Sequence, residues 1–272
     1  MTSGSTLAKK EKEFPGGHAK LHVISVIEKY QIAAVEKTGI KLIGRYGLGA
    51  LCLWAVTCLP ARGQSLQTFK GYCGQYYRSL EDLRKQRGAE LDFYRFRAGQ
   101  SVASIGAQCC HWEAAYAAVS DSLFFYLQDI DSSYFNPRQA GFAWHYYDSL
   151  RGRPMSSRYT LLLGKEDATG LPDTSCDKIL IINSFHEFGD RVSMLADIRG
   201  KLKKDGLLYI DESVPRKPGQ LHGVCKKPML TPEEIEALLE SNGFQQSGHL
   251  DIGFRKGKTY RRIYAFRIKP GP

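Results

Sequence analysis

Gly106 and Asp129 stand 23 residues apart, and the chain around them reads as strand, tight turn, helix and strand: Val102 to Asp131, VASIGAQCCHWEAAYAAVSDSLFFYLQDID, ends in carboxylates. That is the front half of a nucleotide-binding α/β unit. In an open parallel sheet, ligands bind outside the carboxyl ends of the strands near the point where strand order reverses, which would bring both residues to one site. A glycine at 106 would let backbone approach a ligand without a Cβ clash. A carboxylate at 129 could accept both hydroxyls of a ribose, each charge-assisted bond being worth about 1.5–3 kcal/mol. Asp131 is its nearest competitor. A phosphate-cradling loop carries several glycines, whereas here Gly106 is followed by Ala107, Gln108, Cys109 and Cys110.

Two further stretches hold reactive residue types. The seven cysteines, at 52, 58, 73, 109, 110, 176 and 225, show neither metal-ligand spacing nor the density of a disulfide scaffold, so spacing predicts no metal. Cys109, Cys110 and His111 are adjacent, but neighbours on a helix point about 100° apart and do not readily share one ion; they are expected to fill structural gaps. Asp211 to Met229, DESVPRKPGQLHGVCKKPM, is long and rich in Pro and Gly and carries Arg216, Lys217, His222, Lys226 and Lys227. Loops of this length are uncommon unless they cap a site. As a basic lid it would favour an anionic small molecule; a merely solvated loop is the alternative.

The elements that must position these residues alternate. Strands are expected at Val102–Gly106, Leu123–Ile130, Tyr159–Gly164, Lys178–Asn183, Leu207–Asp211, Gly248–Phe254 and Tyr260–Ile268, with helices at Trp112–Val119 and Arg191–Leu202. Apolar runs separated by helical patterns predict a parallel sheet covered on both faces. LTPEEIEALLESNGF predicts a further helix, with Thr231 as N-cap, Pro232 in the first turn, Glu234 completing a capping box and Asn242-Gly243 at its end. Two strands after that helix predict an antiparallel edge. Leu66 to Leu91, including Tyr72, Tyr76, Leu80 and Leu83, reads as one or two helices leading into the sheet.

The 272 residues are 43% hydrophobic and 24% charged, which suits one α/β domain plus an N-terminal extension. Residues 1–63 carry nine Lys/Arg against four Asp/Glu, and the remaining 209 carry 29 against 24, so the net +10 is split evenly. The domain's own excess is mild, and no nucleic-acid partner is expected. YGLGALCLWAVTCL, residues 46–59, is an uncharged run of fourteen between Lys37, Lys41, Arg45 and a Pro60-Ala61-Arg62-Gly63 site. That order is the pattern of a secretory signal peptide, and the run is shorter than the roughly 20 residues of a membrane span. The expected divisions are an extension at 1–39, a signal-like or tethering segment at 40–63, a helical lead-in at 64–98 and the α/β domain at 99–272. Export or membrane tethering through 40–63 is expected, with a cytoplasmic protein carrying a helical extension as the alternative.

From Gly99 to Ile268 the chain resembles the class I S-adenosylmethionine-dependent methyltransferases. The resemblance rests on the order of Val102-Ala-Ser-Ile-Gly106, Gln128-Asp129-Ile130, Gly164-Lys-Glu-Asp167, Ile181-Ile-Asn-Ser-Phe-His-Glu-Phe188, Leu202-Lys-Lys-Asp-Gly-Leu-Leu-Tyr-Ile210 and Leu230-Thr-Pro-Glu-Glu. It departs from the family at Ser104, where an acid is usual, and in the turn after Gly106, where the glycine-rich motif is degenerate. The resemblance implies a Rossmann-like, doubly wound, mostly parallel seven-stranded sheet. It implies S-adenosylmethionine as cofactor, held by Ser104, Gly106, Ala107, Asp129, Ile130 and Asn183, with Glu166 or Asp167 on the adenine amino group. It places His186 and Glu187 against substrate and methyl group, His186 as base. The implied activity is methyl transfer to a small-molecule acceptor; an exported or tethered, repurposed non-catalytic binding protein of the same fold is the alternative.

Overall fold

The structure, a computed structural model, describes Cys73 and residues 76–271 apart from Gly257. The segments 1–39 and 40–63, and the export pattern in them, lie outside the described residues. Among the described residues no helix is long and apolar enough to cross a membrane.

Seven strands form one sheet: β1 Ser101–Ile105, β2 Phe124–Asp129, β3 Arg158–Leu163, β4 Cys176–Ile182, β5 Leu202–Ser213, β6 Phe244–Arg255 and β7 Lys258–Ile268. Their order is β3-β2-β1-β4-β5-β7-β6. Strands β1 to β5 pair in parallel, and β7 runs antiparallel between β5 and β6. Strand order reverses at β1, which lies between β2 and β4, so a ligand cleft belongs at the carboxyl ends of these strands.

Period-two alternation divides the core between the two faces of the sheet. Val102, Phe125, Leu127 and Leu180 pack on one side with Ala114, Ala115, Tyr116 and Ala117 of α2 (His111–Val119) and Ala140, Ala143 and Tyr147 of α3 (Pro137–Arg151). Ala103, Ile105, Ile179 and Ile181 pack on the other with Met194, Leu195 and Ile198 of α4 (Arg191–Lys201) and Ile235 and Leu239 of α5 (Pro232–Ser241). The capping box of α5 forms as its sequence predicts: Glu234 N–H donates to Thr231 Oγ1 at 3.3 Å, and Thr231 N–H to Glu234 Oε2 at 2.7 Å.

Strands β5 and β6 begin five and four residues earlier than expected, at Leu202 and Phe244, and two helices differ further. The lead-in helix spans Leu80–Tyr94, starting at the Ser79 cap, whose hydroxyl accepts from Asp82 N–H; Tyr76 and Tyr77 precede it as non-helical chain. Helix Pro137–Arg151 was not expected at all. Its signals are local: Asn136 accepts from Gln139 N–H, Pro137 occupies the first turn, and Gly152 ends it at φ +68°. Counting the lead-in helix as the first of its kind, before α2, it is α1 below.

Candidate active site

The turn after β1 takes left-handed φ at alternate residues: Gly106 at +79°, Gln108 at +43° and Cys110 at +58°. Of these three positions only the first is a glycine. A left-handed residue with a Cβ costs roughly 1–2 kcal/mol, so tertiary contacts must hold the shape. Gly106 and Ala107 N–H both donate to Gln128 O at 2.9 Å, and Gln108 N–H donates to Asp129 Oδ2 at 2.8 Å. Asp129 Oδ1 takes Asp131 N–H at 2.9 Å. The predicted pair therefore meets, with the carboxylate fastening the turn to the end of β2. The freedom from a Cβ at Gly106 serves a protein neighbour: a Cβ there would lie 2.5 Å from Ser184 Oγ, which itself donates to Ile105 O at 3.0 Å. Serine 184 thus seats the loop after β4 directly on the turn after β1.

Cys109 does more than fill a gap, because it is disulfide-bonded to Cys73, with Cα atoms 5.7 Å apart. Two cysteines 36 residues apart carry no spacing signature that singles them out among seven.

Ser104 is buried and donates to Glu113 Oε1 at 2.5 Å. Ser104 is thus paired with an acid from the first turn of α2. Burial pushes the Glu113 carboxyl up to about 7, against the lowering hydrogen bond from Ser104, and its Oε2 has no hydrogen-bond partner. Around Asp129, Ile130 and Leu163 are exposed although apolar, at 54% and 65%. They end neighbouring strands, Asp129 pairing in register with Leu163. A Cβ at Gly164 would collide with the present position of the Gln128 side chain. Glu166 and Asp167 lie exposed on the turn beyond it. Asp131 is occupied locally by the Ser133 N–H and hydroxyl. Asn183 adopts φ +52° and donates its N–H to Asp211 O at 2.7 Å, tying the ends of β4 and β5.

His186 sits in the short 3-10 turn Phe185–Glu187, buried at 2%. Arg191 holds that turn by donating to Phe185 O and His186 O. The His186 Nδ1 lies 2.8 Å from Glu212 Oε2, a buried carboxylate on β5, and His186 N–H donates to Glu212 Oε1 at 3.2 Å. The tautomer whose Nδ1–H donates a hydrogen bond to that carboxylate leaves Nε2 with its lone pair, the arrangement of an oriented base. Glu187 is half-exposed, its Oε1 3.6 Å from Nε2. Among the residues that sequence reasoning missed is Glu212, which carries no local signal and meets His186 only because β5 lies beside β4. Its neighbour Asp211 accepts a bidentate pair from Arg261 at 2.6 Å, while Arg261 and Arg87 both reach Glu90, so a buried charge network fixes this end of β5 to α1 and β7.

A cavity of about 850 Å³ opens at the amino-terminal end of β5, between Phe93, Lys204, Leu207 and Arg267. It lies away from the carboxyl ends where an open α/β sheet binds ligands, and the constellation above is the better candidate.

No protein-family model matches the chain, and no curated protein matches it. Solved structures do. A SAM-dependent methyltransferase from Aquifex aeolicus aligns with TM-score 0.51 at 18% identity over 71% of this chain and 100% of its own. The 1,6-didemethyltoxoflavin-N1-methyltransferase of Burkholderia thailandensis, solved with S-adenosylhomocysteine, aligns at TM-score 0.51 and 16% identity over 69% and 78%. The cyclase SpnF aligns at TM-score 0.53 and 14% identity over 75% and 87%. The fold is that of the class I S-adenosylmethionine-dependent methyltransferases. At these identities the likeness fixes architecture, and the cyclase among them shows that chemistry must be argued from the site.

Proposed function

We propose that the protein transfers a methyl group from S-adenosylmethionine to a small-molecule acceptor at the carboxyl edge of β1, β2 and β4. The observation that carries this reading is the turn at 106–110, which holds left-handed backbone at a cost of strain and is fastened by Asp129.

The residues present fit the cofactor. Asp129 keeps acceptor capacity beyond its two backbone donors and would take the ribose hydroxyls. Exposed Ile130 and Leu163 offer apolar faces to an adenine, with Glu166 or Asp167 at its amino group. The Ser104–Glu113 pair and Ala107 would border the methionine moiety, with Asn183 at the adjoining end of β4. When bound, the cofactor supplies an electrophilic methyl group. His186 accepts the acceptor's proton at Nε2, and Glu212, by accepting the hydrogen bond from Nδ1–H, stabilises the imidazolium that results. Glu187 stands on the open side of His186, where it orients the acceptor. The basic residues Arg216, Lys217 and Lys226 on the loop between β5 and α5 favour an anionic acceptor.

Saturating S-adenosylmethionine or its demethylated product tests this reading. At a hundredfold excess over the dissociation constant the native state gains about 2.7 kcal/mol, which for a domain of this size raises the melting temperature by roughly 5–10 °C. Asp129→Ala should still fold and lose the shift. Absence of a shift in the wild-type protein at millimolar ligand would sink the proposal.

A further inference from the structure

The loop between β5 and α5 brings a second set of chemistry to His186. Its tip is a tight turn: His222 N–H donates to Lys227 O at 2.8 Å, Lys226 N–H returns to His222 O at 3.2 Å, and Leu221 bridges Pro228. Lys226 takes φ +60° to close it. The turn holds His222 and Cys225 on one side, with His222 Nδ1 3.2 Å from Cys225 Sγ. The same sulfur lies 3.2 Å from His186 Nε2, and the His186 and His222 rings stand 4.5 Å apart. All three ligand atoms lie within 4.8 Å of one another.

We propose that His186 Nε2, His222 Nδ1 and Cys225 Sγ form a binding site for a divalent, borderline-soft metal ion, zinc by the chemistry of the donors. One thiolate and two imidazoles suit zinc and exclude magnesium and calcium, which take oxygen. Zinc sits about 2.3 Å from sulfur and about 2.0–2.1 Å from nitrogen, so a tetrahedron needs S···N separations of roughly 3.6 Å. The observed 3.2 Å contacts reach this with movements of a few tenths of an ångström. A supporting group is already in place. Glu212 accepts from His186 Nδ1, which fixes the tautomer with its lone pair on Nε2 and makes that nitrogen a better ligand. Binding forms one Zn–S and two Zn–N bonds and releases the thiol proton to solvent. The fourth position faces Glu187, whose Oε1 is 3.6 Å from the same Nε2.

This site goes beyond the methyl-transfer reading and stands or falls separately from it. Its consequence for that reading is definite: a metal-bound Nε2 has no lone pair for a proton, so ion and acceptor compete for His186, and an occupied site pins the basic loop shut over the β4 end.

Cobalt(II) added to the reduced, metal-free full chain is the probe, because a thiolate ligand gives a charge-transfer band in the near ultraviolet and tetrahedral geometry gives intense visible bands. One equivalent should produce both, and one equivalent of zinc should bleach them. Cys225→Ser should remove the charge-transfer band. His222→Ala should weaken affinity by more than the roughly 10–100-fold typical of losing an outer-shell partner. Both variants sit on an exposed loop, and an unchanged melting temperature of the metal-free protein would show that their fold is intact. Zinc should also protect Cys225 from iodoacetamide. Bands that survive Cys225→Ser, or alkylation of Cys225 undiminished by zinc, would overturn the site whatever the cofactor experiment returns.

Discussion

Glu113 is the residue whose titration reports most directly on the candidate site. It is fully buried, holds Ser104, and has its carboxyl pushed up to about 7 by burial. The folded protein therefore retains a proton that the unfolded chain, at its ordinary 4.5, has released. Stabilisation from that proton is complete below about pH 4.5 and is lost as pH rises to about 7. Glu113→Gln stays neutral throughout, so the wild-type advantage over this variant should shrink by about 3 kcal/mol between those limits. Denaturant unfolding of both proteins across pH 4–8 measures it; a constant difference would show that Glu113 ionises freely. At this scale the sequence was legible only where chemistry is local. Gly106 and Asp129 were found because a strand, a turn and a strand bring them together within 23 residues. Glu113, Glu212 and Cys225 were not found in their roles, because each acts on a partner from a different element and no spacing encodes that.

At the scale of elements, the strands and the capped α5 were readable from alternation and from side-chain caps, which are short-range causes. The helix Pro137–Arg151 has equally local caps and buries Ala140, Ala143, Trp144 and Tyr147 at i, i+3, i+4 and i+7, so it was as legible in the sequence as α5 although no helix is expected there. The position of β7 between β5 and β6 depends on partners far apart in the chain. So does the charge network at Asp211, which couples α1, β5 and β7 and stiffens the strand that presents Glu212. Arg261 neutralises both Asp211 and Glu90 there. Arg261→Met would leave two buried carboxylates without this partner, and breaking a buried pair costs about 3–5 kcal/mol. The melting temperature should fall by roughly 10 °C. A double variant that also carries Asp211→Leu should recover part of the loss, since removing both partners is far milder than stranding one. Equal melting temperatures for Arg261→Met and wild type would mean that the network is solvated.

Across the whole molecule, the disulfide between Cys73 and Cys109 ties the chain that precedes α1 to the turn between Gln108 and Cys110. It therefore constrains both the unfolded ensemble and the loop proposed to hold the cofactor. Closing 36 residues removes unfolded-state entropy equivalent to about 3–4 kcal/mol in the chain-entropy treatment. Disulfides persist mainly in oxidising compartments, which accords with the export pattern expected of residues 40–63 and sets it against a cofactor made in the cytosol. The two considerations separate experimentally. Reductant should lower the melting temperature of the wild-type protein by roughly 10 °C and leave a Cys73→Ala/Cys109→Ala variant unmoved. If the turn depends on the crosslink, the S-adenosylmethionine shift should shrink in the reduced protein, while a shift of undiminished size would show that Asp129 and Gln128 hold the turn alone. Peptide mapping without reduction, on protein from its native host, decides the compartment: a Cys73–Cys109-linked peptide is the expected product, and two free thiols would remove the oxidising reading.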